Sequence, residues 1–354
     1  MIIMSQSIDN FRVYSERPLI TPHQLITELP LVSSVAENIR LARMTISKII
    51  RGEDRRLLVV VGPCSIHDCH AALEYAWFLK HAAAQYENDL FIVMRTYLEK
   101  PRTTMGWKGL ISDPLLDGSF DFNQGLRIAR KFLLDLCAMN LPAATEFLDI
   151  NIPHYLSDLI TWVAIGARTT ESQIHRELAS GLSMPVGFKN TTDGNFKIAI
   201  DAVLTARHPH HFLGMTLDGI ASILSTLGNE NCHIVLRGSN QSPNYTNDYI
   251  ASAIAMLKAE NLSPRLMIDC SHGNSMREYQ RQATVVNAVI EHLQHNAADI
   301  LGVMIESNLV SGKQTPQANQ QLVYGQSITD ACLSWSETLP LLDKLALAIH
   351  CSRG

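Results

Sequence analysis

The chain has 354 residues, of which 46% are hydrophobic, so it is long enough for one large domain or two medium ones. A formal net charge of −5 does not favour a general nucleic-acid binder. Seven scattered cysteines indicate a reducing compartment such as the cytoplasm, and neither a signal peptide nor a membrane-spanning run is expected.

Two helical segments are expected before the first strand. Thr21 suits an N-cap, Pro22 suits the first helical position, and residues 34–52 form a longer amphipathic pattern that Gly52 closes. We expect residues 1–52 to be an N-terminal arm, used for oligomerisation or regulation, that packs on the rest of the chain or on another subunit.

Short β-branched runs recur after this arm, and most are followed by an amphipathic segment. Continuous apolar runs of this kind are typical of parallel strands buried on both faces. The runs span residues 57–62, 90–97, 142–148, 162–169, 185–190, 210–216, 233–238, 265–272 and 300–307. Alternating strands and helices predict a (β/α)8 TIM barrel in residues 53–354, with a doubly wound sheet as the less favoured alternative.

One of these runs does not fit the barrel. Residues 212–224 hold two apolar segments separated by Asp218 and Gly219, which is the signal of a β-hairpin. This run also ends in no charged residue, unlike nearly all the others. We therefore expect an inserted hairpin at about residues 210–226, outside the barrel.

Six cations stand at or just after the ends of predicted strands. A single cation there is usually a surface charge, but six at one end of a barrel would line one cavity, because such barrels carry their active site at the C-terminal ends of the strands. The six are Arg95, Lys100, Arg102, Arg168, Lys189 and Arg237. Their charge suits phosphate and carboxylate groups, so we expect a substrate with several negative charges.

The stretch "EKPRTTMGWKG" follows the second predicted strand. Lys100 and Arg102 flank a stiffening proline, and Thr103 adds a hydroxyl, as in a phosphate-binding loop. An ordinary basic loop explains this stretch equally well when it is taken alone.

Four side chains far apart in the sequence suggest a metal site. Cys64, His272 and Glu306 each end or follow an apolar run, and Asp330 precedes the last helical segment. A thiolate, an imidazole and two carboxylates suit Mn²⁺, Fe²⁺, Co²⁺ or Zn²⁺ better than Mg²⁺. Taken singly, each is more often a buried or hydrogen-bonded residue with no metal.

The stretch "CSIHDCH" offers a competing, local metal site. Its two cysteines, Cys64 and Cys69, are five positions apart, outside the spacing of structural zinc sites, and no second pair follows nearby. Asp68 stands where the next helix should begin, so it is predicted to be the N-cap of that helix. His70 falls at the start of the same helix. The local site is therefore disfavoured.

Several long motifs together resemble the class I 3-deoxy-D-arabino-heptulosonate 7-phosphate (DAHP) synthases, which open the shikimate pathway. In the order of that family they are "LLVVVGPCSIHD", "EKPRTTMGWKGLISDP", "IGARTTESQIHRELASGLS", "PVGFKN", "HIVLRG", "IDCSHGNS", "GVMIESN" and "YGQSITDAC". The resemblance spans nearly the whole chain. It implies a metal-dependent barrel enzyme that condenses phosphoenolpyruvate with erythrose 4-phosphate and water and releases phosphate.

The resemblance also implies roles for individual residues. Its metal ligands fall on Cys64, His272, Glu306 and Asp330. Its phosphoenolpyruvate contacts fall on Arg95, Lys100, Glu146, Arg168, Lys189, Arg237 and the backbone of Ala167. Its erythrose 4-phosphate contacts fall on Arg102 and Thr103. The expected catalytic residues are Lys100, Glu146, His272 and Asp330, with Lys100 as a proton or hydrogen-bond donor and Glu146 as the group that orients or deprotonates the water.

Two alternatives remain beside this function. The related 3-deoxy-manno-octulosonate 8-phosphate synthases have a similar barrel, but the "KPRTT" loop and the N-terminal arm favour DAHP synthesis. A barrel that has lost activity would lack a ligand or a phosphate contact, and none is missing. The chain does depart from the family pattern at Thr191 and Ser239, where glycine is common, so altered loop stiffness and a changed Michaelis constant are expected.

The resemblance further implies inhibition by an aromatic amino acid at a cavity remote from the barrel mouth. That cavity falls near Ile150, Pro153, His154, Leu182, Ser183, Phe212 and Gly214, with Asp9 or Asn10 from a neighbouring subunit. Room beside Gly214 and local details of sequence favour tyrosine as the effector, although His154 stands where glutamine is common and plain packing explains the apolar residues as well. The family implies dimers that pair into tetramers.

Overall fold

The structure, a computed structural model, describes residues 12–102, 105–317 and 321–353. Its strands, numbered in chain order, are β1 (Leu57–Gly62), β2 (Leu90–Arg95), β3 (Ala143–Glu146), β4 (Trp162–Ile165), β5 (Val186–Lys189), β6 (His211–Met215), β7 (Ala221–Ser225), β8 (Cys232–Leu236), β9 (Leu266–Asp269), β10 (Ile300–Asn308), β11 (Val310–Lys313), β12 (Gln326–Ser327) and β13 (Leu333–Ser334). No helix in the described ranges is long and apolar enough to cross a membrane.

Eight of these strands form a closed parallel barrel. Their order is β1-β2-β3-β4-β5-β8-β9-β10, and β10 pairs with β1 to close the ring. The barrel strands are buried almost throughout, which explains why their sequences are continuous apolar runs and not alternating ones. The predicted (β/α)8 TIM barrel is confirmed.

The apolar run that does not fit the barrel forms the predicted hairpin. β6 pairs antiparallel with β7, and the turn between them places Gly219 in the left-handed region at φ +77°. An Asp-Gly pair suits this turn because glycine adopts that conformation without strain.

Helices cover the outside of the barrel and begin at recognisable caps. They are α1 (Pro22–Glu28), α2 (Ser33–Arg51), α3 (Cys69–Gln85), α4 (Phe122–Ala138), α5 (Pro153–Leu156), α6 (Gln173–Gly181), α7 (Lys197–Ala206), α8 (Asn247–Ala259), α9 (Arg281–Asn296) and α10 (Trp335–Cys351). Thr21 caps α1 in a capping box with Gln24, and Gly52 ends α2 in the left-handed conformation. Both ends agree with the sequence-based expectation.

Helix α2 closes the N-terminal end of the barrel. Its residues Ile46, Ile49 and Ile50 belong to the same apolar cluster as interior side chains such as Leu58 and Trp162. Within that cluster the indole Nε1 of Trp162 donates to Nε2 of the fully buried His233 at 3.0 Å. The described part of the predicted arm therefore packs partly as a plug beneath the barrel interior.

Candidate active site

The side chains that line the barrel interior change from apolar to charged near the mouth. Side chains two positions apart on a strand face the same way, so each residue two positions beyond an interior apolar residue also faces inward. Five strands show this change from an interior apolar residue to a charged one. The steps are Val93 to Arg95 on β2, Ala144 to Glu146 on β3, Val235 to Arg237 at the end of β8, Met267 to Asp269 on β9 and Met304 to Glu306 on β10. On β5, the same step leads from Gly187 to Lys189, and a methyl group at Gly187 would meet the interior side chains of Trp162 and His233. We call the resulting six charged residues the mouth ring: Arg95, Glu146, Lys189, Arg237, Asp269 and Glu306.

On β1 and β4 the same steps lead to glycines, Gly62 and Gly166. A methyl group at Gly62 would lie 2.8 Å from the backbone oxygen of Arg95, and one at Gly166 would overlap the carboxylate of Glu146. These glycines therefore make room for the neighbouring members of the mouth ring. The ring holds three cations and three carboxylates, so its charges are balanced before any ligand binds.

Asp269 contacts both a cation of the ring, Lys189, and a predicted metal ligand, His272. Its Oδ2 accepts from Lys189 Nζ at 2.9 Å and lies 2.9 Å from His272 Nδ1. Its Oδ1 accepts from the hydroxyl of Ser271 at 2.6 Å. Burial alone would raise the pKa of Asp269, but His272, Lys189 and Ser271 hold it well below its usual range.

Arg95 lies beneath the cavity and not on its wall. The side chain is fully buried, pairs with Glu306 Oε1 at 2.9 Å and donates to the backbone oxygens of Pro63 and Cys64. Its guanidinium also lies 3.5 Å from the centroid of the Tyr97 ring. The ammonium groups of two lysines lie 5.8 and 5.9 Å from the same ring, so one buried aromatic face is shared by three cations: Arg95, Lys100 and Lys189.

Three of the four predicted metal ligands converge at the mouth. The ligand atoms of Cys64, Glu306 and Asp330 all lie within 4.8 Å of one another, and theirs is the one such group found in the described part of the chain. Lys100 Nζ donates to Cys64 Sγ at 3.1 Å. Burial raises the pKa of the Cys64 thiol to about 11, with Glu306 adding to the effect, whereas Lys100 and His272 outweigh burial and lower the pKa of Asp330 to about 2.

The fourth predicted ligand, His272, stands at the edge of this group. Its Nε2 lies 3.8 Å from Glu306 Oε1, while its Nδ1 faces Asp269. His272 adopts a left-handed backbone with φ +55°, which costs a side-chain-bearing residue about 1 to 2 kcal/mol. This backbone is held by a 2.8 Å bond from the Arg277 N–H to the His272 carbonyl oxygen. Strain retained at such a position is typical of functional sites.

A cavity of about 400 Å³ opens above the ring. Most of the predicted substrate contacts line it: Lys100, Arg102, Glu146, Ala167, Arg168, Lys189 and Arg237. His272, Glu306 and Asp330 line it as well, whereas Cys64 and Arg95 lie below it. Thr103, the last predicted contact, lies outside the described residues.

The local cluster that the sequence disfavours does not form a metal group. Asp68 caps helix α3 by accepting from the backbone N–H groups of His70 and Ala71 at 2.9 and 3.1 Å. Cys69 and His70 line a separate groove against α4. Only Cys64 of this stretch reaches the mouth.

Two residues of the site were not singled out from the sequence. Asp269 ends β9 and could have been found by the same strand-end reasoning that found the cations. Tyr97 could not, because a tyrosine after a strand carries no sign that three cations share its ring.

The predicted effector residues lie on the outside of the barrel. Pro153 and His154 are on α5, Leu182 and Ser183 follow α6, Phe212 and Gly214 are on β6, and Ile150 precedes α5. Asp9 and Asn10 are outside the described residues. The side chain of Leu224 fills the space beside Gly214, so the room expected there is taken up in this structure.

A cleft of about 970 Å³ lies beside some of these positions. Their chain neighbours Ile152 and Met215 line it, together with Glu99 and Lys100 from the loop after β2. The Glu99 carboxylate accepts from the backbone N–H groups of Leu148 and Asp149 at 3.2 and 3.1 Å, and burial raises its pKa to about 8. The loops after β2 and β3 are thus directly connected.

A barrel that has charged residues at its mouth, together with a thiol and two carboxylates that could hold a metal ion, suits an enzyme that acts on anionic substrates. Comparison with known proteins identifies the family. Residues 32–342 match the model of the DAHP synthetase I family. The chain belongs to the DAHP synthetase I family, as its motifs predict.

Relatives of different effector sensitivity match this chain about equally well. It is 50% identical over 351 residues to the Phe-sensitive phospho-2-dehydro-3-deoxyheptonate aldolase of Escherichia coli K12, covering 99% of this chain and all of that protein. It is 50% identical over 344 residues to the Tyr-sensitive enzyme of the same strain, covering 97% and 96%. It is 52% identical over 341 residues to the Trp-sensitive enzyme of Buchnera aphidicola subsp. Acyrthosiphon pisum, covering 96% and 98%.

A solved structure supports the fold. The phospho-2-dehydro-3-deoxyheptonate aldolase of Francisella tularensis SCHU S4 superposes with a TM-score of 0.94 at 50% identity, covering 97% of this chain and all of that one.

Proposed function

We propose that this chain, as a DAHP synthase, condenses phosphoenolpyruvate with D-erythrose 4-phosphate and water to give DAHP and phosphate. One observation carries the proposal: cations suited to phosphate line a single 400 Å³ cavity, and a compact thiol-carboxylate group contributes its two carboxylates to the same wall, with its thiol below. Phosphoenolpyruvate brings a carboxylate and a phosphate, and the second substrate brings another phosphate, so both need cationic partners.

The donor set fits a divalent metal ion. Cys64, Glu306 and Asp330 are already close, and His272 can supply Nε2 because its Nδ1 faces the Asp269 carboxylate. Thiolate, imidazole and carboxylate together suit Mn²⁺, Fe²⁺, Co²⁺ or Zn²⁺. Such an ion, when bound, would supply Lewis-acid polarisation of the aldehyde oxygen of erythrose 4-phosphate.

The phosphoenolpyruvate position is assigned to the cavity wall. Lys189, Arg168 and Arg237 would bind its phosphate and stabilise the charge that develops as phosphate departs. The backbone of Ala167 would add a contact there. Arg95, which lies beneath the cavity, would reach the ligand only through its effect on Glu306 or after a shift of its side chain.

Two side chains are assigned to proton handling. Lys100 Nζ lies 3.1 Å from Cys64 Sγ, within reach of a substrate oxygen bound beside the ligand group, and would donate a proton or hydrogen bond to it. Glu146 and His272 line the same cavity, and Glu146 would orient or deprotonate the water that adds to C2 of phosphoenolpyruvate. Arg102 and Thr103 would bind the phosphate of erythrose 4-phosphate.

Phosphate release in the presence of both substrates tests the function. We expect purified protein with a divalent ion to release phosphate from phosphoenolpyruvate when erythrose 4-phosphate is present. Release with arabinose 5-phosphate instead would identify the octulosonate synthesis activity. No release with either sugar phosphate, across all four ions, would identify an inactive barrel.

We also propose feedback inhibition by an aromatic amino acid, with tyrosine favoured. The bond network of Glu99 supports it, because it connects the loop after β3, which continues into α5, to the loop that carries Lys100. Asp9 or Asn10 of a neighbouring subunit would complete the effector site, so residues 1–52 would serve oligomerisation and regulation in a dimer or tetramer. Inhibition assays with tyrosine, phenylalanine and tryptophan decide among the effectors, and a lack of tyrosine inhibition would refute the preference. A cytoplasmic location suits the seven free cysteines.

A further inference from the structure

One carboxylate oxygen at the mouth contacts a side chain from each of two proposed binding positions. Asp269 Oδ2 lies 2.9 Å from Lys189 Nζ, which is assigned to the phosphate of phosphoenolpyruvate, and 2.9 Å from His272 Nδ1, on the ring assigned to the metal. Asp269 is fully buried, and Lys189 is only 3% exposed. Water therefore has little access to the Lys189 contact, whereas the His272 side chain, 21% exposed, faces the cavity.

The geometry also fixes which nitrogen of His272 is available. Nδ1 lies 2.9 Å from Asp269 Oδ2 and 2.7 Å from Ser271 Oγ, whose own proton goes to Asp269 Oδ1. A proton on Nδ1 therefore satisfies both neighbours and leaves the lone pair of Nε2 directed towards Glu306, 3.8 Å away. The turn that carries both residues is rigid, because Asn274 Nδ2 donates to the Asp269 carbonyl oxygen at 2.9 Å and the Arg277 N–H donates to the His272 carbonyl oxygen. The carboxylate itself is held through Oδ1, which accepts from the N–H and the hydroxyl of Ser271 at 3.0 and 2.6 Å, so its movement towards one partner and away from the other is restricted.

We propose that Asp269 is a positioning residue that couples occupancy of the metal position to occupancy of the phosphoenolpyruvate phosphate position. The inference rests on the proposed function of the site. A cation on Nε2 withdraws electron density from the imidazole, so Nδ1–H becomes a stronger donor to Oδ2. The carboxylate charge is then drawn towards His272, and the Lys189 ammonium is less neutralised and binds phosphate more tightly. By linkage, phosphoenolpyruvate must tighten metal binding by the same factor.

Equilibrium binding of Mn²⁺ to metal-stripped full-length protein, with and without phosphoenolpyruvate and with no sugar phosphate, measures this coupling without turnover. In the unmodified protein, phosphoenolpyruvate is expected to tighten Mn²⁺ binding by about 5-fold or more. In D269N the amide can donate to Nδ1 and favour the wrong tautomer. Mn²⁺ affinity should then fall about 10- to 100-fold, and phosphoenolpyruvate should no longer change it.

D158N is the matched control. Asp158 also pairs with a fully buried cation, Arg130, but lies away from the mouth. We expect D158N to keep both the Mn²⁺ affinity and the coupling factor. An unchanged coupling factor in folded D269N would overturn the proposal.

Side-chain ¹⁵N NMR of histidine in the unmodified, metal-free protein gives a second readout that does not depend on D269N folding. With H272Q used for assignment, we expect His272 to carry its proton on Nδ1 and its resonance to shift when phosphoenolpyruvate is added. A proton on Nε2 in the neutral ring, or no shift at saturating phosphoenolpyruvate, would overturn the coupling. If the unmodified protein binds neither Mn²⁺ nor phosphoenolpyruvate, the proposed function itself fails, which separates the two outcomes.

Discussion

The two ends of the barrel differ in the polar groups that they bury: the N-terminal end buries neutral groups, and the mouth buries charged ones. At the N-terminal end, Ile46 and Ile49 of α2 pack against the interior, and the polar atoms of Trp162 and His233 satisfy each other as neutral groups. At the mouth, six charged side chains occupy one layer, and four of them line a cavity: Glu146, Lys189, Arg237 and Glu306. One end therefore contributes stability and the other contributes chemistry, as is general for this fold.

The largest effect on turnover with the smallest effect on stability is expected at Cys64. C64S removes a soft ligand from the mouth, so we expect turnover and metal affinity to fall by more than about 100-fold, with little change in the thermal unfolding midpoint. Cys69, five residues away, lies outside the ligand group, so C69S is the control. Equal losses of turnover and metal affinity in C64S and C69S would instead support the local metal site in residues 64–70.

Helix α2 should show the opposite behaviour. I49A removes a fully buried side chain from the plug, and we expect the free energy of unfolding to fall by about 2 to 5 kcal/mol while KM for both substrates stays the same. Denaturant titration with steady-state kinetics measures both quantities. L41A, on the exposed side of α2, should change neither. A loss of turnover in folded I49A at full substrate would show that the two ends are not independent.

The neutral pair beneath the barrel predicts a pH dependence of stability. Burial lowers the pKa of His233 to about 4 from an ordinary value of 6.5. Between these values the unfolded chain binds a proton that the folded chain does not, so His233 should contribute a loss of about 3 kcal/mol as pH falls from 6.5 to 4. H233Q keeps an acceptor for Trp162 Nε1 and removes the titration. Its unfolding midpoint should fall less steeply with acid than that of the unmodified protein, and parallel curves would refute the assignment.

The smallest effect is expected at the mouth loops where the chain departs from its family. The Ser239 hydroxyl oxygen accepts from the N–H groups of Gln241 and Ser242 at 3.0 and 2.8 Å, which stiffens the loop beyond β8. Replacing it in S239G loses about 1 kcal/mol of hydrogen bonding, so KM for phosphoenolpyruvate should change by no more than about 5-fold. Q241A, an exposed change in the same loop, is the control. A loss of kcat in S239G would place Ser239 closer to the chemistry.

Much of this organisation follows from simple features of the sequence. Apolar runs predict the barrel because parallel strands are buried on both faces, and Gly219 predicts the hairpin because the turn needs a left-handed residue. Cations at or just after the ends of apolar runs predict the charged mouth, and the position of Asp68 before a helical segment predicts an N-cap, which the structure has.

Other features depend on tertiary contacts that no local pattern records. Asp269 ends an apolar run, as the cations do, but its contact with Lys189, which comes from β5, cannot be predicted from spacing. The space beside Gly214 depends on the side chain across the hairpin, Leu224, and not on the glycine alone. The proposed effector residues come from separate segments and a second chain, so spacing cannot predict how they associate.

Metal removal and reactivation test the account most directly. We expect protein purified without added metal and treated with a chelator to lose condensation of phosphoenolpyruvate with erythrose 4-phosphate, and one equivalent of Mn²⁺, Fe²⁺, Co²⁺ or Zn²⁺ per chain to restore it. Metal analysis of the untreated protein would identify the ion it retains. Full turnover by protein shown to contain no metal would contradict the central claim that Cys64, His272, Glu306 and Asp330 form a metal site at the barrel mouth.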